Sequence, residues 1–298
     1  MPGGRDVFPP EVLSPEALMG RAADELGETA EKREAGLAYL REQMASHTDS
    51  GTLFRFPDAD RDLFLLAFLR AKKYRLADAF KMLENFARTR QQNPVRRQRV
   101  PRHPLRHLTT LQDWFLGTPE SCRGVIESGM TGVFPERAPD GRVIIGIFPA
   151  RLDRTRFSFL EQMQASVLVT LSLLQSEETQ VCGMVCVEDL AGFSLSSMPP
   201  HAEAKRQMSW QRDCLPLRMK GERLAYCCDV AGALMHARRH PRRQRAVRKL
   251  LERFRVHAGD LSTLHDLIPK RVLSTEFGGE RPYDPSAWLR FHQDRCSQ

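Results

Sequence analysis

At 298 residues, with 41% hydrophobic and 28% charged residues, the chain has the composition of a folded globular protein, which excludes a disordered or fibrous class. Its longest apolar run, Val167 to Leu174, is broken by Thr170 and Ser172 and falls well short of the roughly 20 residues of a membrane span. The net charge of +8 is concentrated: Arg218 to Arg255 holds twelve Lys/Arg against three Asp/Glu, and Asn85 to Gln112 holds seven Arg and no acid.

Met1 to Asp6 shows neither a signal-peptide nor a transit-peptide pattern, so the expected compartment is the cytoplasm. Residues 1–13 read as a flexible N-terminus. Ser14-Pro15-Glu16 is an N-cap with Pro at the first helical position, opening a helix to about Leu26 that Gly27 stops. Thr29 caps a second helix carrying Leu37, Leu40 and Met44 at helical spacing. Asp58 or Asp60 starts a third, Leu63 to Leu69, too apolar all round for a surface element. A fourth, Leu76 to Gln92, aligns Phe80, Leu83, Phe86 and Ala87. Residues 14–93 therefore form a small all-α unit, and Pro94, Pro101 and Pro104 mark a connection over 94–118.

Beyond it the pattern changes. A helix over Glu120 to Ser128 precedes strands at Gly132 to Phe134 and Arg142 to Phe148. Helix Phe159 to Leu174, strand Cys182 to Val187, helix His201 to Asp213, strand Glu222 to Cys227 and helix Val230 to His240 follow. Such alternation implies an α/β fold with a mostly parallel sheet over 119–281, leaving 282–298 as a tail. Seven cysteines without a CxxC pair fit reduced thiols, and Cys182 and Cys186 read as packing on one face of a strand.

No phosphate loop, dinucleotide fingerprint, nucleophile elbow or HExxH motif is present. The pairs His103/His107 and His236/His240 have ligand spacing but sit among arginines that would repel a dication, and Gly192 to Ser197 reads as a turn, so neither a catalytic residue nor a metal is expected. The helix Phe159 to Leu174 places Ser166 and Thr170 on the face of Met163 and Val167. It is either a core helix whose hydroxyls bond back to the preceding turn or the wall of an apolar cavity with polar anchors.

Several segments, in order, resemble the CRAL-TRIO family of lipid-binding proteins, which includes tocopherol and retinaldehyde carriers and the clavesins. They are Leu65 to Tyr74, Asp140 to Val143, Ser176 to Gln180, Leu215 to Gly221, Leu251 to His257, Asp260 to His265, Leu273 to Gly279, and Pro282-Tyr-Asp284 with Trp288. The resemblance implies a helical unit on an α/β lipid-binding domain with a sheet floor, a helix-lined pocket and a gate helix. It further implies that Met163, Ser166, Val167, Thr170, Met184 and Leu217 line the cargo cavity. By the same resemblance Arg70, Lys72, Arg218, Lys220, Lys249 and Arg253 hold phosphoinositide head groups. The expected protein is thus a non-enzymatic monomeric carrier, without a cofactor, of a tocopherol-, retinoid- or phospholipid-like molecule, docking peripherally on endosomal or other intracellular membranes.

The chain departs from the family where the gate is expected: Asp229 to Met235 is small, and Arg238 to Arg245 is three or four residues longer and Arg-rich. Small residues bury less area in a membrane, so docking is expected to lean on charge, unless the extra arginines are a solvated face. Glu188 and Glu222 bring carboxylates to the pocket side of the sheet, which leaves the cargo open. Competing readings are a nucleic-acid binder, a cargo-free membrane adaptor and a lipid enzyme. The arginines are not interleaved with aromatics for stacking, which weighs against nucleic acid.

Overall fold

A computed structural model describes residues 7–54, 61–92, 119–151, 153, 155–189, 191, 201–218, 223–226, 254–257 and 261–294. The helical unit follows its caps. Helix α1 (Pro15–Leu26) starts where Ser14 Oγ accepts the Ala17 N–H, and ends where Gly27 turns left-handed (φ 63°) and its N–H returns to the last turn. Thr29 caps α2 (Ala30–Ser46), a single turn α3 (Ser50–Leu53) follows, and α4 (Arg61–Ala71) is buried from Leu63 through Arg70. In α5 (Leu76–Gln92) Leu83, Phe86 and Ala87 are buried as expected, Ala79 and Met82 join them, and Phe80 sits half-buried on the shoulder of the stripe. Full burial of such Leu and Phe side chains contributes about 1.5–3 kcal/mol each, which makes α4 the hub of the unit.

In the second unit α6 (Pro119–Glu127) precedes β1 (Thr131–Val133) and β2 (Val143–Ile147), then come α7 (Phe159–Leu173), α8 (Glu177–Cys182), β3 (Met184–Asp189), α9 (His201–Cys214), β4 (Arg223–Tyr226) and β5 (Phe254–His257). The five strands lie in sequence order; β1 runs antiparallel to β2 and the other neighbouring pairs are parallel. A single-turn α10 (Ser262–His265) and α11 (Ala287–Asp294) complete the described chain.

Four expectations change. Cys182 does not lie on a strand with Cys186: it closes α8, which Ser176 caps through the Thr179 N–H, and Gly183 (φ 78°) then turns the chain into β3 against the Arg218 carbonyl. Strand β5 was not expected. Residues 7–13 are held rather than loose: the buried Arg137 donates to the Pro9 and Pro10 carbonyls, and Val12 and Leu13 N–H groups donate to Glu178 Oε2 (2.9 and 3.1 Å). The tail belongs to the fold, because Trp288 and Leu289 are 1% exposed and join the main core. The expected helix Val230 to His240, the connection 94–118, both histidine pairs and the Gly192 to Ser197 turn lie outside the described residues.

The sheet separates two cores. One face gives Ile144, Val185 and Val187 to a cluster with Phe134, Phe148, Leu264, Ile268 and Phe277. The other gives Val143 and Met184, with half-buried Ile145, to the large cluster that also contains α4, α5 and α7 side chains.

Candidate functional site

Helix α7 begins in a capping box, with Ser158 Oγ accepting the Glu161 N–H and Glu161 Oε2 accepting the Ser158 N–H at 2.7 Å. Burial rises along it: Met163 and Ser166 are half-buried, Val167 is 1% and Thr170 9% exposed. Val167 and Met184 belong to one core cluster, and Leu217 packs against it. Val167, Met184 and Leu217 thus border one large apolar core, and Met163, Ser166 and Thr170 lie on the helix that supplies Val167.

Alternation along β3 puts Met184, Cys186 and Glu188 on one face. In the parallel register Val143 stands opposite Met184, Ile145 opposite Cys186 and Ile147 opposite Glu188. On this face Ile145 and Ile147 remain half-buried, whereas Ile144, Val185 and Val187 on the opposite face are sealed. This side of the sheet thus combines two incompletely covered aliphatic side chains with a buried carboxylate, Glu188. An apolar surface with few polar groups suits a hydrophobic guest.

The basic residues separate into two kinds. Arg70 does not face a head group: its side chain is 2% exposed and its guanidinium grips Glu28 with two bonds (2.8 and 2.7 Å), Glu177 at 2.7 Å and Gln180 at 2.9 Å. Burial opposes its charge, but Glu28 and Glu177 outweigh burial and push its pKa further up. Gln180 passes the connection on, donating to the Leu63 and Leu174 carbonyls. This hub ties the α1–α2 turn, α4 and α8 together, and it corrects the head-group role expected for Arg70. Arg218 is also engaged, donating to the Val181 carbonyl at 2.5 Å and to Glu25 at 3.1 Å, and burial pushes its pKa down. Lys72 is half-buried at the end of α4. Lys220, Lys249 and Arg253, with Glu222 and the Arg238 to Arg245 cluster, lie outside the described residues.

Sequence reasoning missed Glu28, Glu177, Gln180, Arg137, Glu178 and Trp288 as joints. The two acids that follow Ser176 in the first turn of α8 are the one local signal that could have revealed a helix there.

A protein-family model described as CRAL/TRIO domain matches residues 127–279. Clavesin-1 of Pongo abelii is 30% identical over 282 residues, covering 93% of this chain and 72% of its own. The human alpha-tocopherol transfer protein-like protein is 27% identical over 288 residues, covering 92% of this chain and 73% of its own. The crystal structure of Sfh5 aligns over 95% of this chain and 98% of its own, with a TM-score of 0.46 and 10% identity. The family match spans both cores of the sheet, α7 and α8, and on that match the chain belongs to the CRAL/TRIO domain family.

Proposed function

We propose that this chain is a non-enzymatic carrier that shelters one hydrophobic molecule between α7 and the facing side of the sheet and delivers it at membranes. The observation that carries the reading is that Ile145 and Ile147 stay partly exposed in mid-sheet on the side of the α7 cluster, among the buried Val143, Met184, Cys186 and Glu188, whereas Ile144, Val185 and Val187 on the other face are all sealed. Membership of the family and the naming of one relative for tocopherol transfer support it. Tocopherol, retinoid and phospholipid-like guests all fit an apolar wall with hydroxyl anchors.

Docking is assigned to the clustered positive charge, with phosphatidylinositol bisphosphate as the lipid and Lys72, Lys220, Lys249 and Arg253 as the contacts, Arg218 being engaged by Glu25 and the Val181 carbonyl. Each Lys or Arg near an anionic bilayer contributes about 1 kcal/mol, so a handful gives reversible attachment. Guanidinium forks suit phosphate geometry, and the 218–255 window is mostly arginine. The carrier reading is tested by mixing purified protein with donor vesicles that hold a self-quenched fluorescent lipid. Uptake should relieve the quenching, saturating at one lipid per chain, and an unchanged signal with every lipid class tried would overturn the reading.

A further inference from the structure

The two ends of the described chain meet over the back of α7. Trp288 of α11 is 1% exposed, and its Nε1–H donates to Ser172 Oγ at 2.7 Å; the Ser172 hydroxyl donates in turn to the Val169 carbonyl at 2.7 Å. At about 100° per residue Ser172 lies on the far side of the helix from Thr170, so Trp288 grips α7 opposite the proposed cargo wall. The grip is itself held. The His292 ring sits 4.5 Å from the Trp288 ring, and Phe291 rests 5.3 Å from Phe8 of the N-terminal strap. The strap is fixed by Arg137 and Glu178 and by Glu11, whose Oε1 accepts the Ser176 hydroxyl at 2.6 Å just past the end of α7. Gln180 adds a bond to the Leu174 carbonyl. The contacts made to α7 itself, at Ser172 and the Leu174 carbonyl, fall at its C-terminal end, whereas residues 161–164 at its start are half-buried.

We propose that Trp288 is a positioning residue for the cargo site: through Ser172 it sets the distance of the wall helix from the sheet, and the strap and α11 form a clasp whose loosening speeds release. The proposal rests on the carrier reading and assigns a residue outside the cavity to its control. Removing one buried hydrogen bond changes an equilibrium by about fivefold, which sets the scale of the effect.

The test loads full-length protein from donor vesicles with NBD-labelled tocopherol or NBD-labelled phosphatidylcholine and follows release into unlabelled acceptor vesicles. Trp288→Phe keeps the ring and removes the donor; Ser172→Ala removes the acceptor and serves if the first variant fails to fold. Release should quicken about fivefold in each, and the double variant should be no faster than either single one; the lost bond also lowers the thermal midpoint of the empty protein by a few degrees. A merely structural bond would lower that midpoint and leave release unchanged, which overturns the proposal. Uptake by the unaltered chain with unaltered release from both variants overturns the clasp alone. No uptake by the unaltered chain overturns the carrier reading and the clasp together.

Discussion

Arg70 shows how a motif residue and its role can part company. The apolar run around it announced a buried helix, and burial of a guanidinium is tolerated only with its partners in place. Those partners, Glu28, Glu177 and Gln180, lie 42, 107 and 110 residues away, beyond any local pattern. Arg70→Met should destabilise the protein by about 3 kcal/mol, since it leaves the half-buried Glu28 with only the more distant Arg33, at 3.9 Å, as a cation; equal urea midpoints for variant and parent would contradict the hub. A pH dependence accompanies it. Burial pushes Glu177 up, but the Arg70 and Arg33 guanidiniums outweigh burial and hold its carboxyl below the ordinary value. A depressed folded-state pKa contributes stability that is present above the unfolded value of about 4.3 and is lost as pH falls through the folded one. Denaturation midpoints of the parent should therefore fall below about pH 4, and Arg70→Met should show a shallower fall over the same range.

At the scale of elements, what was legible was what local chemistry specifies. Ser14, Gly27 and Thr29 fixed the limits of α1 and α2, and the apolar stripe of α5 was readable at Leu83, Phe86 and Ala87. Helix α8 was not, because six residues are too few for a period and Val181-Cys182 reads as the start of a strand. The four-residue β5 was hidden for the same reason, its place fixed by pairing with β4. The strap was misjudged because Pro9 and Pro10 look like loop residues, while their carbonyls are held by an arginine more than a hundred positions away. Of the candidate wall, spacing put Met163, Ser166, Val167 and Thr170 on one face of α7 but left core and cavity open; the cavity role of these four, of Met184 and of Leu217 is what the family resemblance implies. Deleting residues 1–13 tests the strap. It takes the Pro9 and Pro10 carbonyls from Arg137 and the Val12 and Leu13 N–H groups from Glu178, so the thermal midpoint should drop by several degrees and amide exchange in α11 should quicken. An unchanged midpoint would mean that the strap is dispensable.

Over the whole molecule the charge is polarised. Residues 7–54 carry nine Asp/Glu against four Lys/Arg, whereas residues 218–255 carry twelve Lys/Arg against three Asp/Glu. A segment so rich in arginine attracts an anionic surface and makes attachment sensitive to salt. Replacing Lys72, Lys220, Lys249 and Arg253 by Ala should reduce flotation with phosphatidylinositol bisphosphate liposomes by at least about tenfold at low salt, with the fold retained. Undiminished flotation would move the docking surface elsewhere, and stronger binding to RNA or duplex DNA than to the liposomes would favour a nucleic-acid role. Docking, however, is only the means of delivery; the carrier account stands on the guest. Its most direct measurement is native mass spectrometry of the purified chain, followed by solvent extraction of whatever is bound. The account predicts a single co-purifying hydrophobic molecule at one per chain, and protein that is repeatedly empty and takes up no lipid from donor vesicles would contradict it.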